Sequence, residues 1–248
     1  MLADLTFEET SAGLDAVVDE ILAHCRCKRP PVDAFQIAEA LGITIALDDC
    51  QTGRARYVRL RDRCASQSRA TILLRPDPRL ERQQWAVAHE IGEHAAYRVF
   101  HRLGADPRES SPRAREQVAN QLAGRLLIPS CWFSQDATAC AWDLLALKQR
   151  YRTASHELIA RRMLECRPAV IVTIFDQGRI TFRRGNLLGR IPPPSSTEWS
   201  CWHLVHEKNQ PHATTAGLYT IQCWPVHEDD WKREIIRFEL TDDEAYYM

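Results

Sequence analysis

The chain has 248 residues, 45% of them hydrophobic and 26% charged, with a formal net charge of -1 at pH 7. These values are typical of a soluble globular protein with a buried core, and they exclude a strong overall charge that would attract nucleic acid or a membrane. No run approaches 18 apolar residues, the N-terminus lacks a signal-peptide core, and the nine cysteines include no C-x-x-C pair. The sequence therefore predicts a cytoplasmic protein with reduced thiols and no membrane segment.

The N-terminal part alternates helical and extended patterns. Apolar residues at helical spacing predict a first helix over 12–26. A second helix is predicted between Asp33, as its N-cap, and Gly42, just past its end. Short apolar or alternating runs predict strands at 43–47, 54–60 and 70–74, the last two in one small sheet.

Helical patterns dominate the middle of the chain, at 80–100, 113–127, 142–149 and 154–165. Beyond residue 168 the patterns predict a hairpin around 176–178 and strands at 200–207, 217–224 and 233–240. The predicted fold is α+β: a zincin-like domain over 1–167 that includes a helix pair at 142–165, and a β-rich domain over 168–248 of unknown role. The last eight residues are predicted to be loose and acidic.

The segment QQWAVAHEIGEHAAYRVF places His89 and Glu90 side by side in an apolar helix. In zinc peptidase helices the first histidine binds the metal and the adjacent glutamate acts as general base. A second ligand lies four residues later, because four helical steps return to the same face one turn away. That position is Glu93, and a histidine, His94, stands one step later.

Two interpretations of this motif are open. In the first, the helix is regular and Glu93 is the second ligand, which is the interpretation that we favour because it needs no distortion. In the second, a one-residue bulge eased by Gly92 turns His94 toward the metal instead.

The segment REQVANQLAGRLLIP adds a carboxylate from another helix. Glu116 is predicted as the third ligand of an open site, and Asn120, four residues on, shares its face and is predicted to hold it by a hydrogen bond. Small residues at Ala119 and Ala123 would let this helix approach the motif helix closely. One imidazole and two carboxylates form a hard, negative donor set, so the predicted cofactor is zinc or another divalent cation such as manganese.

Three stretches of the sequence resemble the ImmA/IrrE family of metallopeptidases: PPVDAFQIAEALGITIALDD, ATILLRPDPRLERQQWAVAHEIGEH and REQVANQLAGRLLIPSCWF. The last stretch carries the pattern E-x-x-A-N-x-[FL]-A-x-x-L-L-x-P. The resemblance implies that His89 and Glu116 are ligands and that Glu90 is catalytic. The second histidine of the family falls on Glu93, and there this sequence departs from the family.

The resemblance implies a cytoplasmic zinc-dependent endopeptidase that cleaves a partner protein, such as a repressor of the helix-turn-helix type, in stress response, mobile elements or defence. The strand at 70–74 is expected to pair with an extended substrate. Tyr97, His101 and Arg125 are candidates for stabilising the oxyanion, although a structural role is the interpretation that we favour for each. The departure at Glu93 supports an alternative: a catalytically degenerate member that acts as a protein-binding or DNA-binding regulatory module.

Other patterns have less specific interpretations. Segment 142–165 resembles a helix-turn-helix with five basic residues, but a packing helix pair is the interpretation that we favour. The nine arginines within 51–82 predict either a solvated face or a basic surface for an acidic partner. The tail histidines are interpreted as ordinary residues of strands and loops: His203, His206, His212 and His227.

Overall fold

The computed structural model describes residues 6–61, 68–187 and 189–240. The chain forms two compact units, Met1–Asp136 with Arg150–Ser155 and Ala137–Gln149 with His156–Met248. The backbone therefore passes three times from one unit to the other. The predicted loose segment 241–248 lies outside the described residues, and the boundary at 167–168 stays a prediction. Within the described ranges, every helix is too short or too polar to span a membrane.

The first unit contains helices and a small sheet. Its helices are α1 (Phe7–His24), α2 (Ala34–Ala40), α3 (Leu80–Arg102) and α4 (Pro112–Leu127), and α5 (Ser130–Ala139) starts in this unit and ends in the second. Its strands are β1 (Thr44–Leu47), β2 (Ala55–Arg61) and β3 (Ser68–Leu74). The predicted helices and strands are confirmed here, whereas α5 was not predicted.

Local signals in the sequence explain where the first helices begin and end. Thr6 and Glu9 form a capping box at the start of α1. Asp33 caps α2 as predicted, since its side chain accepts a hydrogen bond from the Phe35 N–H at 2.9 Å. Gly42 follows α2 with a φ of +70°, a backbone conformation that favours glycine.

The sheet of the first unit has the order β1–β3–β2, with β1 parallel and β2 antiparallel to β3. The expectation that the strand at 70–74 pairs with a substrate is wrong, because β3 has a neighbour on each side. Among the described strands of this sheet, β2 lies at an edge and faces α3.

Helix α3 lies at the centre of the first unit. It packs against α1, α2 and α4 and against β2 and β3. Its buried face includes Val87, Ala88, Ile91 and Val99, each fully shielded from solvent. Because this helix also carries the H-E pair, the core of the unit holds the candidate centre in place.

The second unit is built on a five-stranded antiparallel sheet. Its helices are α6 (Leu144–Arg150, whose last residue belongs to the first unit), α7 (His156–Met163) and α8 (Ser196–Lys208). Its strands are β4 (Val170–Asp176), β5 (Arg179–Gly185), β6 (His212–Ala216), β7 (Tyr219–Pro225) and β8 (Arg233–Leu240), in the order β5–β4–β8–β7–β6. The predicted hairpin is confirmed: Gln177 and Gly178 turn with positive φ between β4 and β5.

The prediction of a strand at 200–207 is wrong, because these residues lie in α8. Ser195 and Glu198 form a capping box that begins the helix, and Asn209 ends it in the left-handed conformation. Its buried residues Cys201, Trp202 and Val205 follow Glu198 at the helical spacings of three, four and seven. The apolar letters of this segment therefore cover one helical face, which packs on β6, β7 and β8.

The helix pair at 142–165 is present as α6 and α7, and two of its basic residues make contacts within the second unit. Arg161 stacks on the Phe182 ring, 4.1 Å from its centroid, and pairs with Glu157 at 2.7 Å. The Arg162 side chain is only 4% exposed. These contacts favour the packing helix pair over a DNA-reading surface.

Candidate metal centre

Helix α3 is α-helical throughout Leu80–Arg102 and carries the whole motif. Because the helix contains no π turn, the residue one turn beyond His89 on the same face is Glu93. The ligand atoms of His89, Glu93 and Glu116 all lie within 4.8 Å of one another. The structure therefore brings together the three residues that the sequence predicts as ligands.

Glu116 reaches this group from α4, which packs closely along α3. At Gly92 a Cβ atom would lie 2.5 Å from the Ala119 carbonyl oxygen, so only glycine permits this approach. His89 Nε2 lies 3.7 Å from Glu116 Oε2. Asn120 donates from Nδ2 to Glu116 Oε1 at 3.0 Å.

The Glu90 carboxylate points to the sheet side of α3. The backbone N–H of Tyr57, on β2, donates to Glu90 Oε2 at 2.6 Å, and Glu90 is only 8% exposed. Burial raises the pKa of the Glu90 carboxyl, although the Tyr57 N–H bond and the nearby His89 oppose the rise. A buried carboxyl next to a group of ligand atoms is the arrangement expected of a general base.

His94 lies in the same pocket but outside the group of three ligand atoms. Its ring packs beside the Tyr57 ring, with 5.1 Å between centroids. Burial lowers the pKa of the His94 imidazole, and the positive charges of Arg59 and Arg98 lower it further. This environment favours a neutral ring that packs against β2.

The pocket around these residues has a volume of about 610 Å³, which is within the range of ligand sites. Its lining residues come from β2, α3 and α4: Ala55, Arg56, Tyr57, Arg59, His89, Glu90, Glu93, His94, Tyr97 and Glu116. The edge of β2 therefore borders the candidate centre directly.

Of the three candidates for oxyanion stabilisation, only Tyr97 lines this pocket. The Arg125 side chain is 3% exposed and binds Asp15 and Ser11 in the core of the first unit. His101 lies one turn further along α3, edge-on to Tyr97 with 6.2 Å between ring centroids. Of these candidates, Tyr97 therefore lies where it can contact a molecule bound in the pocket.

The residues present fit a divalent metal ion. One imidazole nitrogen and two carboxylate oxygens are ordinary zinc ligands, and the carboxylates also suit harder ions such as manganese. Glu93 is exposed and the Glu116 side chain is 57% exposed, so the group is open to solvent on one side. An open side is what a catalytic metal site needs.

A second group of potential ligands lies in the second unit and was not anticipated from the sequence. The ligand atoms of His206, His227 and Glu234 also lie within 4.8 Å of one another. These residues come from α8, from the connection after β7 and from β8. Their spacing in the sequence therefore does not predict that they lie together.

Comparison with known proteins agrees with this architecture. A family model described as the IrrE N-terminal-like domain (Peptidase_M78) matches residues 38–164. Eleven chains of solved structures match as well. One is a Mycobacterium tuberculosis transcriptional regulator, with a TM-score of 0.66 and 16% identity, covering 94% of this chain and 80% of that chain. At this identity the likeness shows the fold alone. No curated protein matches the chain.

The matched range contains β2, β3, α3 and α4, and with them each side chain of the candidate centre. It covers slightly more than half of the 248 residues. The chain therefore belongs to the ImmA/IrrE family and carries its IrrE N-terminal-like domain, which has a metallopeptidase fold.

Proposed function

We propose that the chain is a metal-dependent endopeptidase with an H-E-x-x-E motif. His89, Glu93 and Glu116 hold the ion, and Glu90 is the general base. One observation carries the proposal: three ligand atoms from α3 and α4 converge within 4.8 Å beside a buried carboxylate on the same helix. The family supports a metallopeptidase fold, and the donor set supports zinc or manganese.

Each residue then has a defined task. When bound, a divalent ion acidifies a water molecule and polarises the peptide carbonyl. Glu90 accepts a proton from the attacking water and passes it to the nitrogen of the leaving amine. The Tyr57 N–H holds Glu90 Oε2 and thereby orients the carboxylate, while Asn120 orients Glu116. Tyr97 lines the pocket, and its hydroxyl would donate to the developing oxyanion.

The substrate that fits this pocket is an extended protein segment lying along the edge of β2. The Tyr57 N–H points away from β3 and toward Glu90. The outer edge of β2 therefore lies on the side of the candidate centre. Because Glu90 accepts the Tyr57 N–H, a peptide would pair through its backbone with the other outward groups of this edge. Arg56 and Arg59 line the same pocket, so acidic side chains near the cleaved bond are preferred.

The family resemblance suggests a helix-turn-helix repressor as the protein substrate, cleaved in the cytoplasm under stress. The eight described cysteines are free, which suits a reducing compartment. This assignment of the partner rests on the resemblance, whereas the chemistry rests on the geometry of the centre.

The test of the chemistry is Glu90→Gln. Incubation with a peptide library made from digested cellular protein, followed by mass spectrometry of new termini, detects cleavage without a known partner. We expect metal-dependent cleavage by the unchanged chain and a loss of at least 100-fold in the variant, because a general base contributes about 10²–10⁴-fold. The variant should keep its metal, since Glu90 is not among the three ligands.

Glu109→Gln is the matched control, because this exposed carboxylate lies in the loop before α4 and outside the pocket. It should cleave at the unchanged rate. Equal cleavage by Glu90→Gln and the control would contradict the proposed mechanism.

A second function rests on Glu93, which stands where the family has a histidine. With both carboxylate ligands exposed, the centre would bind metal less selectively, and the chain would act as a degenerate regulatory module that binds protein or DNA. Elemental analysis of protein purified without chelators distinguishes the two functions. A metal content that falls by about one ion per chain in His89→Ala supports the peptidase, and a metal content that His89→Ala leaves unchanged, with no cleavage, supports the module.

A further inference from the structure

The second unit contains a group of potential metal ligands outside the family match at 38–164. His206 lies on α8, His227 follows β7, and Glu234 lies on β8. Three separate elements therefore converge on one point. A site of this kind exists only in the folded chain, so metal binding there would stabilise the fold.

Glu234 is the centre of this group and is fully buried. Two imidazole nitrogens approach the same carboxylate oxygen, Oε1: His206 Nδ1 at 2.8 Å and His227 Nε2 at 2.6 Å. The other oxygen, Oε2, accepts a hydrogen bond from Trp202 Nε1 at 2.8 Å. The indole thus fixes the carboxylate, and both histidines are aimed at the free side of Oε1.

We propose that His206, His227 and Glu234 bind a divalent transition-metal ion, with zinc as the best match. Two imidazoles and one carboxylate form a donor set that zinc uses in proteins. Zinc bonds of about 2.0–2.2 Å in a tetrahedron place ligand atoms roughly 3.3 Å apart. The two nitrogen–oxygen distances therefore need to lengthen only slightly to admit the ion. Trp202 supplies the hydrogen bond that commonly supports a ligating carboxylate from behind.

The site is closed on the side of the sheet and open on the side of α8. The side chain of Glu234 is 0% exposed and that of His227 10%, whereas that of His206 is 30% exposed. Three protein ligands leave one position of a tetrahedral ion for water, and the ion ties α8 to β8 and to the connection before it. The site therefore stabilises this part of the second unit when it is loaded.

The competing interpretation is a buried carboxylate that two histidines satisfy by hydrogen bonds. The two interpretations differ in the position of protons. Without metal, His206 carries its proton on Nδ1 and His227 on Nε2, because these atoms donate to Glu234. With metal, both atoms lose that proton, and the neutral rings carry it on the opposite nitrogens.

The binding test uses the full chain with His89→Ala and Glu116→Gln, which remove two of the three ligands of the first centre. In this background we compare His206→Asn/His227→Gln with His212→Gln, a histidine change elsewhere in the unit. Asparagine and glutamine keep an N–H donor near Glu234 but are poor zinc ligands, so the fold is preserved. Competition with a chromophoric chelator measures zinc binding.

We expect one zinc ion per chain in the background and in the His212→Gln control. We expect at least a 100-fold loss of affinity in the His206→Asn/His227→Gln variant. Equal zinc binding by that variant and the control would overturn the proposal, as would the absence of zinc binding in the background. Neither result depends on whether the first centre is a peptidase.

A second measurement needs no substitution within the site. Long-range proton–nitrogen NMR of the histidine rings reports which nitrogen carries the proton. Addition of zinc to the background protein should move the proton of His206 from Nδ1 to Nε2 and that of His227 from Nε2 to Nδ1. Rings that keep their protons in place at saturating zinc would overturn the proposal.

Discussion

Among single residues, Asn120 shows how the first centre depends on a side chain that is not itself a ligand. It donates to Glu116 Oε1 at 3.0 Å, and Glu116 is the one proposed ligand that comes from α4. Glu116 has a 57% exposed side chain, so without this contact its carboxylate would sample many orientations. The hydrogen bond therefore preorganises an exposed member of the group.

We predict that Asn120→Ala weakens metal binding at this centre by about 10–100-fold, the usual cost of losing a hydrogen bond to a ligand. Gln117→Ala is the control, because Gln117 is exposed on α4 next to Glu116 and is neither a member of the group nor a lining residue of the pocket. Zinc titration of both variants in the presence of a competing chelator measures the difference. Equal affinities would show that Asn120 does not orient Glu116.

The parts of the first candidate centre that depend on local helix geometry can be predicted from the sequence. His89, Glu90 and Glu93 follow from helical spacing, and Glu116 with Asn120 from the same rule on α4. The Tyr57 N–H bond to Glu90 could not be predicted, because it depends on how β2 sits against α3 across 33 residues of chain. The cluster around Glu234 was missed for the same reason.

Among the secondary-structure elements, the contact of α3 with α4 determines whether Glu116 reaches its position. Gly92 makes this contact possible, since a Cβ there would lie 2.5 Å from the Ala119 carbonyl oxygen. This backbone atom cannot move away as a flexible side chain would. Any side chain at this position forces the two helices apart.

We predict that Gly92→Ala lowers the free energy of unfolding by about 1–3 kcal/mol, although alanine has the higher helix propensity. It should also weaken metal binding, because Glu116 moves away from His89. Gly53→Ala is the control, since its Cβ would lie 3.6 Å from the Ala55 carbonyl oxygen, an ordinary contact. Urea unfolding and zinc titration check both effects, and a fully stable Gly92→Ala would contradict the prediction.

Most helices and strands of the first unit could be predicted, because the residues that begin or end them lie next to them in the sequence. Helix α8 was predicted as a strand because residues 200–207 form a short run that includes the apolar residues Trp202 and Val205, and such a run does not distinguish a strand from a buried helix. The decisive signal was the capping box of Ser195 and Glu198, which lies before that run. The helical period of 3.6 residues is recognised only when Glu198 is included with Cys201, Trp202 and Val205.

In the whole molecule, the first unit is discontinuous along the chain. Its last segment, Arg150–Ser155, contains Tyr151, which is fully buried. The Tyr151 ring packs edge-on against Phe133, and its hydroxyl donates to Asp136 Oδ2 at 2.7 Å. The segment thus completes the core of the unit that carries the candidate metal centre.

We predict that a fragment ending at Gln149 is less stable than one ending at Ser155 by about 3–5 kcal/mol, the usual cost of deleting a buried aromatic side chain. Both fragments contain His89, Glu90, Glu93 and Glu116, so zinc titration and urea unfolding can be compared directly. Tyr151→Ala in the longer fragment should reproduce most of the loss. Equal stability of the two fragments would show that the segment is dispensable.

The three passages of the backbone between the units have a consequence for synthesis on the ribosome. Residues Ala137–Gln149 belong to the second unit, yet they are translated before Arg150–Ser155, which belongs to the first. The nascent first unit therefore cannot bury Tyr151 until a piece of the second unit has already emerged. We expect this order to delay folding of the first unit, and a pause in translation between residues 136 and 155 would leave Phe133 without its aromatic partner.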